Sequence, residues 1–239
     1  MRAYAATDVG KIRKVNQDSV FCSDKPVGNL PNLFIVADGM GGHKAGDLAS
    51  KLTVETIVDV ISSMEEKDPI TLMGKAIHRA NDAVLGKARE SEEFNGMGTT
   101  AVLACIKDNM LYVANVGDSR LYVIDKEITQ ITRDHSLVEE LVSLGQLDRA
   151  QARTNKNKNI ITRAVGGMQV VMADYFETRL KGGEVILMCT DGLTNMVEDS
   201  EIMNLVKQKA DLTARVDNLI RSANNHGGRD NVGVILIEV

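Results

Sequence analysis

Between residues 99 and 132 the chain passes through four short apolar runs, at 101–106, 111–116, 121–124 and 128–131, and this stretch constrains the fold more than any other. Each run is too short for a helix, and only a few polar residues, such as Lys107-Asp108-Asn109, separate one from the next. Connections that short join antiparallel strands, because a parallel crossover needs a dozen residues or more. A Rossmann-like arrangement is thereby disfavoured.

Strands are also expected at 2–8, 18–24 and 32–38, where β-branched and aromatic residues stand between turn signals. Helical spacing follows. Val54, Ile57, Val58 and Ile61 form one apolar stripe and Met73, Ala76, Ile77, Ala80 and Val84 another, so each helix should lie on the face of a sheet. A short helix is expected over 137–144, with Ser136 as its N-cap and Glu139 as the capping-box partner. The polar stretch 148–159 that follows, with Arg149, Arg153, Lys156 and Lys158, reads as a mobile surface flap or an ordinary solvated loop. Strands return at 170–180 and 184–190, helices at 198–208 and 212–225, and a final strand at 232–239 that should be central in its sheet. Two helix groups around a mostly antiparallel strand set predict an α+β fold, two sheets packed together with helices outside.

All 239 residues fit one domain, 1–239, since three prolines and no Ser/Gly/Pro-rich tract leave no linker. A net charge of -5 argues against nucleic acid or an anionic membrane as partner, and 3% aromatic residues with no tryptophan supply no base-stacking platform. No signal peptide or spanning segment is visible, which predicts a cytoplasmic protein. Cys22, Cys105 and Cys189 lie far apart in apolar runs and are expected to be buried, inert thiols.

The chemistry is carried by four short motifs: Ala37-Asp38-Gly39-Met40-Gly41-Gly42, Gly117-Asp118-Ser119-Arg120, Thr190-Asp191-Gly192 and Gly228-Arg229-Asp230-Asn231. A lone Asp-Gly is a common turn dipeptide, but here an apolar run ends in Asp-Gly twice, about 150 residues apart. Carboxylates brought to one rim would repel one another unless a divalent cation sat between them. The candidate ligands, Asp38, Asp191, Asp230, the Gly39 carbonyl and Asp18, are all oxygen and select Mg²⁺ or Mn²⁺ over zinc or copper. Two such ions roughly 3.5–4 Å apart could acidify a water and present it in line with a phosphorus atom. Other catalytic devices are missing or malformed. There is no G-x-S-x-G elbow, the glycine cluster lacks the lysine of a P-loop, and the consecutive residues Asp134-His135-Ser136 cannot adopt the geometry of a hydrolase triad. Arg13, five residues before Asp18, is a candidate bidentate phosphate clamp, the alternative being a solvated basic patch with Lys11 and Lys14.

In order and spacing these motifs, together with Arg13-Lys14-Val15-Asn16-Gln17-Asp18, Gly98-Thr99-Thr100, Asp134-His135-Ser136 and Thr162-Arg163-Ala164-Val165-Gly166, resemble the metal-dependent protein phosphatases of the 2C type, in particular the compact bacterial members that oppose Ser/Thr protein kinases. The resemblance implies a four-layer α/β/β/α sandwich, two antiparallel sheets flanked by helices, with a binuclear Mn²⁺ or Mg²⁺ site at one edge. By the same resemblance Asp38 bridges both ions, Asp191 and Asp230 complete one site, the Gly39 carbonyl serves the other, and Asp18 acts on it through water. Asp118 with Asp191 would hold a weaker third ion, Arg13 the phosphate, and Asn231 and Thr99 would support the ligands. Residues 137–160 would be the flap beside the site. Animal members carry a histidine where this chain has Met40, which cannot donate a proton; His43 or water would then protonate the leaving group. They also carry an acidic residue in place of Gln17.

The expected activity is hydrolysis of phosphoserine and phosphothreonine in proteins by a monomeric enzyme that reverses a cognate Ser/Thr kinase. Competing readings are a catalytically silent binding module of the same fold, a phosphatase specialised for one regulatory partner, and a small-molecule phosphoesterase with a two-metal mechanism.

Overall fold

A computed structural model describes residues 1–41 and 45–239; His43, named above, lies outside the described residues. The strands are β1 (Arg2–Asp8), β2 (Asp18–Ser23), β3 (Leu33–Met40), β4 (Gly98–Thr99), β5 (Ala101–Lys107), β6 (Met110–Val116), β7 (Arg120–Ile124), β8 (Ile128–Gln130), β9 (Asp174–Arg179), β10 (Val185–Cys189) and β11 (Val232–Glu238). The helices are α1 (Ala45–Ser63), α2 (Pro69–Ala88), α3 (Leu137–Ser143), α4 (Arg149–Ala152), α5 (Asp191–Thr194), α6 (Asp199–Val206) and α7 (Leu212–Asn225). All strand pairings are antiparallel, in the orders β1-β11-β10-β7-β8 and β2-β3-β5-β6-β9, with β4 added at the end of β3.

Period-two alternation explains the layering. Along β3, Leu33, Ile35 and Ala37 face one core with Ile57, Ile61, Met73 and Ile77 of α1 and α2. Phe34 and Val36 point the other way and meet Ile186, Met188, Ile235 and Ile237 from the opposite sheet. The alternate residues of β10 and β11, Leu187, Cys189, Val234 and Leu236, pack under Val216 and Leu219 of α7. Three apolar cores thus separate four layers, helices, sheet, sheet and helices, and the expected α+β sandwich is the observed one. β11 is central between β1 and β10.

The runs between 99 and 132 do form β5 to β8, but not one continuous meander. β5 and β6 belong to one sheet and β7 and β8 to the other, so the chain changes sheets at Gly117-Asp118-Ser119. Hairpin spacing records that neighbouring strands are antiparallel and leaves open whether a turn folds back or crosses over. The strand expected at 170–180 begins only at Asp174; before it Val171 is buried while Val170 and Met172 are exposed.

Segment 137–160 is more structured than a polar loop. Ser136 caps α3 through Glu139 N, as its spacing predicts. The Glu139 carboxylate, however, is taken by Arg149 of α4 and does not close a capping box. Arg153 donates to the Val197 carbonyl and pairs with Glu198, and Ser136 bridges to Ile161, so the segment is pinned at both ends. The cysteines are free. Cys105 and Cys189 are buried, whereas Cys22 is only partly so, a correction to the expectation for that residue; burial raises its thiol to about 11 and that of Cys105 to about 12. Among the described residues no helix is long and apolar enough to cross a membrane.

Candidate metal centre

The alternation that builds the inter-sheet core also aims the acids. Asp38 continues the face of Phe34 and Val36, and Asp18 begins the face of Val20 and Cys22. The two aspartates are direct cross-strand partners, so two like charges stand side by side at one end of that core. From the other sheet come Asp191, at the start of α5 just after β10, and Asp230, two residues before β11. Asp118 arrives on the sheet-changing turn. Five carboxylates from five separate segments thus meet at one edge of the sandwich.

Neutral side chains hold them there. Asp38 N–H donates to Thr100 Oγ1 at 2.9 Å, while its carbonyl accepts from Thr99 Oγ1 at 2.8 Å and from Thr100 N at 2.9 Å. The Thr100 hydroxyl meets that of Ser119 at 2.7 Å, tying this clamp to the turn that carries Asp118. Thr190 joins the sheets: its hydroxyl donates to Asp18 Oδ2 at 2.8 Å and accepts from Gly233 N at 2.8 Å. Asn231 accepts from Gln17 N at 2.9 Å and donates to the Val9 and Val15 carbonyls at 2.9 and 3.0 Å, fixing the loop that bears Arg13. Thr99 thus bonds the Asp38 backbone, and Asn231 bonds the backbone of the loop that carries Arg13. Thr100, Ser119 and Thr190 are additions; for Thr190 the available signal was a hydroxyl ending an otherwise apolar strand.

The glycines of the two Asp-Gly pairs are not there for a turn. A Cβ on Gly39 would lie 2.0 Å from the Gly46 carbonyl oxygen, and one on Gly192 would lie 1.8 Å from that of Asn231. Another backbone passes too close for any side chain.

Electrostatics make the cluster untenable as a set of bare anions. Burial first, then the charges of Asp18, Asp191, Asp118 and Asp230, hold the Asp38 carboxyl well above its ordinary range. Asp18 is pushed up to about 8 by burial against the opposing Thr190 hydroxyl bond, and Asp191 to about 6 by burial and Asp230. Asp118 is raised as well, by burial and then by Asp191 and Asp134. Asp38 is within hydrogen-bonding reach of both Asp18 and Asp191 and is the member the two pairs share.

This donor set fits a hard divalent cation. Asp18 Oδ1 and Asp118 Oδ1 are buried without a hydrogen-bond partner, which leaves carboxylate oxygen lone pairs free where charge is least tolerated. Among the described residues no three His, Cys, Asp or Glu side chains form a ready-made ion cage. Pairs of carboxylates about one shared member suit ions such as Mg²⁺, which retain several waters and take only one or two carboxylates.

Arg13 lies at the same rim, its Nη2 donating to Asp230 Oδ2 at 2.8 Å. The residues Asp134, His135 and Ser136 go separate ways, as their adjacency requires. Asp134 binds Arg120 through both carboxylate oxygens, His135 Nδ1 accepts from Gly117 N at 3.0 Å, and Ser136 caps α3.

A family model described as protein phosphatase 2C matches residues 11–233. The chain belongs to that family. This phosphatase is 38% identical over 245 residues to the serine/threonine phosphatase Stp of Listeria monocytogenes, covering 100% of this chain and 96% of the relative. Its fold matches the serine/threonine phosphatase of S. agalactiae with a TM-score of 0.93 at 34% identity, over 100% of this chain and 99% of that one. It also matches the catalytic domain of the serine/threonine protein phosphatase PstP, solved in complex with two manganese ions, with a TM-score of 0.86 at 30% identity, over 98% and 96% of the two chains. The phosphatase is accordingly a metal-dependent hydrolase acting on phosphorylated proteins.

Proposed function

We propose that this phosphatase hydrolyses phosphoserine and phosphothreonine in proteins using two Mn²⁺ or Mg²⁺ ions gathered about Asp38. The observation that carries this reading is the position of Asp38, half-buried at the end of β3, directly opposite Asp18 and within the field of Asp191, where desolvation and the neighbouring charges disfavour a bare carboxylate. In this reading both ions would share Asp38, Asp191 and Asp230 would serve one of them, and the Gly39 carbonyl would serve the other, with Asp18 acting through water. Asp118 and Asp191 hold a weaker third ion. When bound, such ions acidify a water and offset the negative charge of the phosphoryl group.

Arg13 recognises the phosphate. In the structure it spends one guanidinium nitrogen on Asp230, and an arriving phosphate offers the bidentate partner that the single bond lacks. Thr99, Thr100 and Asn231 fix the acids and the Arg13 loop, keeping the reorganisation needed at the reacting centre small. His43 or water protonates the departing alkoxide. The chain works as one catalytic unit over residues 1–239, with 137–160 as its flap, as a cytoplasmic monomer that reverses a Ser/Thr kinase.

The test is phosphate release from a phosphothreonine peptide by metal-stripped protein, with and without Mn²⁺, beside Asp38→Asn. Release is expected only from the wild type with Mn²⁺. Release by Asp38→Asn at the wild-type rate would remove Asp38 from the centre, and turnover of a free phosphate ester but not of the peptide would favour a small-molecule phosphoesterase.

A further inference from the structure

Beside Asp118 and Asp191 lies a cavity of about 240 Å³ whose far wall is the 137–160 flap. Most charges on its walls cancel locally. Arg120 pairs with Asp134 at 2.6 Å and Arg149 with Glu139, while Arg153 turns outward to Glu198 at 2.9 Å. What remains uncompensated is Asp118, Asp191 and Asp199 on the body of the protein and one cation, Lys158, on the flap. Lys158 is half-buried and, among the described residues, forms no ion pair. Asp118 is only 6% exposed, and its Oδ1 and that of Asp199 have no hydrogen-bond partner.

We propose that Lys158 is a tethered counter-cation of this cavity, occupying the field of Asp118 and Asp191 in competition with the weaker divalent ion, so that binding of that ion displaces the flap lysine. An ammonium on a flexible four-carbon stem is a mobile point charge that can follow the potential, unlike the planar guanidinium groups around it, which are fixed by bidentate or backbone bonds. It cannot replace a divalent ion as a ligand-bearing centre, but it lowers the gain from bringing one in. The flap then reports the state of the cavity: lysine in when the weaker ion is absent, lysine out when it is present.

This inference rests on the proposed role of Asp118 and Asp191 in holding a third ion, and the experiment separates the two. The full metal-stripped chain is titrated with Mn²⁺ by calorimetry as wild type, Lys158→Gln, Lys158→Arg and Asp118→Asn. The wild type is expected to show a tight class and a weaker class, and Asp118→Asn to lose the weaker one. Lys158→Gln should tighten the weaker class by roughly tenfold while leaving the tight class unmoved, because one nearby positive charge is removed from a desolvated site. Lys158→Arg, which keeps the charge, should stay near the wild type. A weaker class that vanishes in Asp118→Asn but is unchanged in Lys158→Gln, or is tightened equally by Lys158→Arg, overturns the counter-cation and spares the third ion. No weaker class in the wild type overturns both.

Discussion

Asn231 spends all of one amide on three backbone groups, one on Gln17 and two on the carbonyls of Val9 and Val15. No apolar pattern marks it; its only sequence signal is its place after Asp230. Replacing it by alanine strands a part-buried N–H and two part-buried carbonyls and frees the loop that carries Arg13. Asn231→Ala should lose about 2–4 kcal/mol in urea unfolding, at a net 0.5–1.5 kcal/mol per bond with a further cost for groups left unpaired. It should also raise KM for a phosphopeptide more than it lowers kcat, because Arg13 is misplaced and the acids are not. An unchanged KM with full stability would show that the Lys11 and Ile12 bonds to the Gly228 carbonyl suffice to hold the loop.

At the scale of elements, the turn from β6 to β7 does the most to position the site, and His135 braces it. Gly117 N–H donates to Nδ1 at 3.0 Å, so Nδ1 is unprotonated, and Nε2 faces both Asp174 Oδ2 at 3.1 Å and the Arg163 guanidinium at 3.0 Å. Burial is the largest influence on this ring and lowers its pKa from 6.5, outweighing the opposing pull of Asp174. Above that value the ring is neutral in both the folded and unfolded chain and its contribution is complete. As the pH falls below it, the unfolded chain takes up a proton that the folded ring refuses, and stability is lost until the folded pKa is passed. His135→Asn offers an acceptor near Nδ1 that does not titrate. The stability difference between wild type and variant, from urea unfolding between about pH 8 and about pH 5, should therefore shift in favour of the variant as the pH falls. A difference that stays constant would remove His135 from the acid response.

For the whole molecule, three apolar cores hold together an edge at which acids repel. Folding and metal binding are consequently linked. Mn²⁺ at about a hundred times its Kd should add roughly 2.7 kcal/mol, or roughly 5–10 °C in Tm, to the metal-stripped wild type. Asp38→Asn should lose most of this gain, yet be at least as stable as the wild type without metal, since an amide relieves the repulsion and can donate to Asp18 and Asp191. A metal-free variant that melts well below the wild type would refute the repulsion account. The sequence by itself determined what depends on near neighbours along the chain: the helical stripes of α1, α2 and α7, the alternation that puts Phe34, Val36 and Asp38 on one face, and the Ser136 cap. The motif order also singled out the acids. Only the tertiary structure decided that β5–β8 divide between two sheets, that Asp18 stands opposite Asp38, that Gly39 and Gly192 are required by a passing backbone, and that Arg13 rests on Asp230. Periodicity fixes which way a side chain points from its own strand. Which strands are brought together, and against what repulsion, depends on the apolar area that all the layers bury at once, a sum no local window of sequence contains.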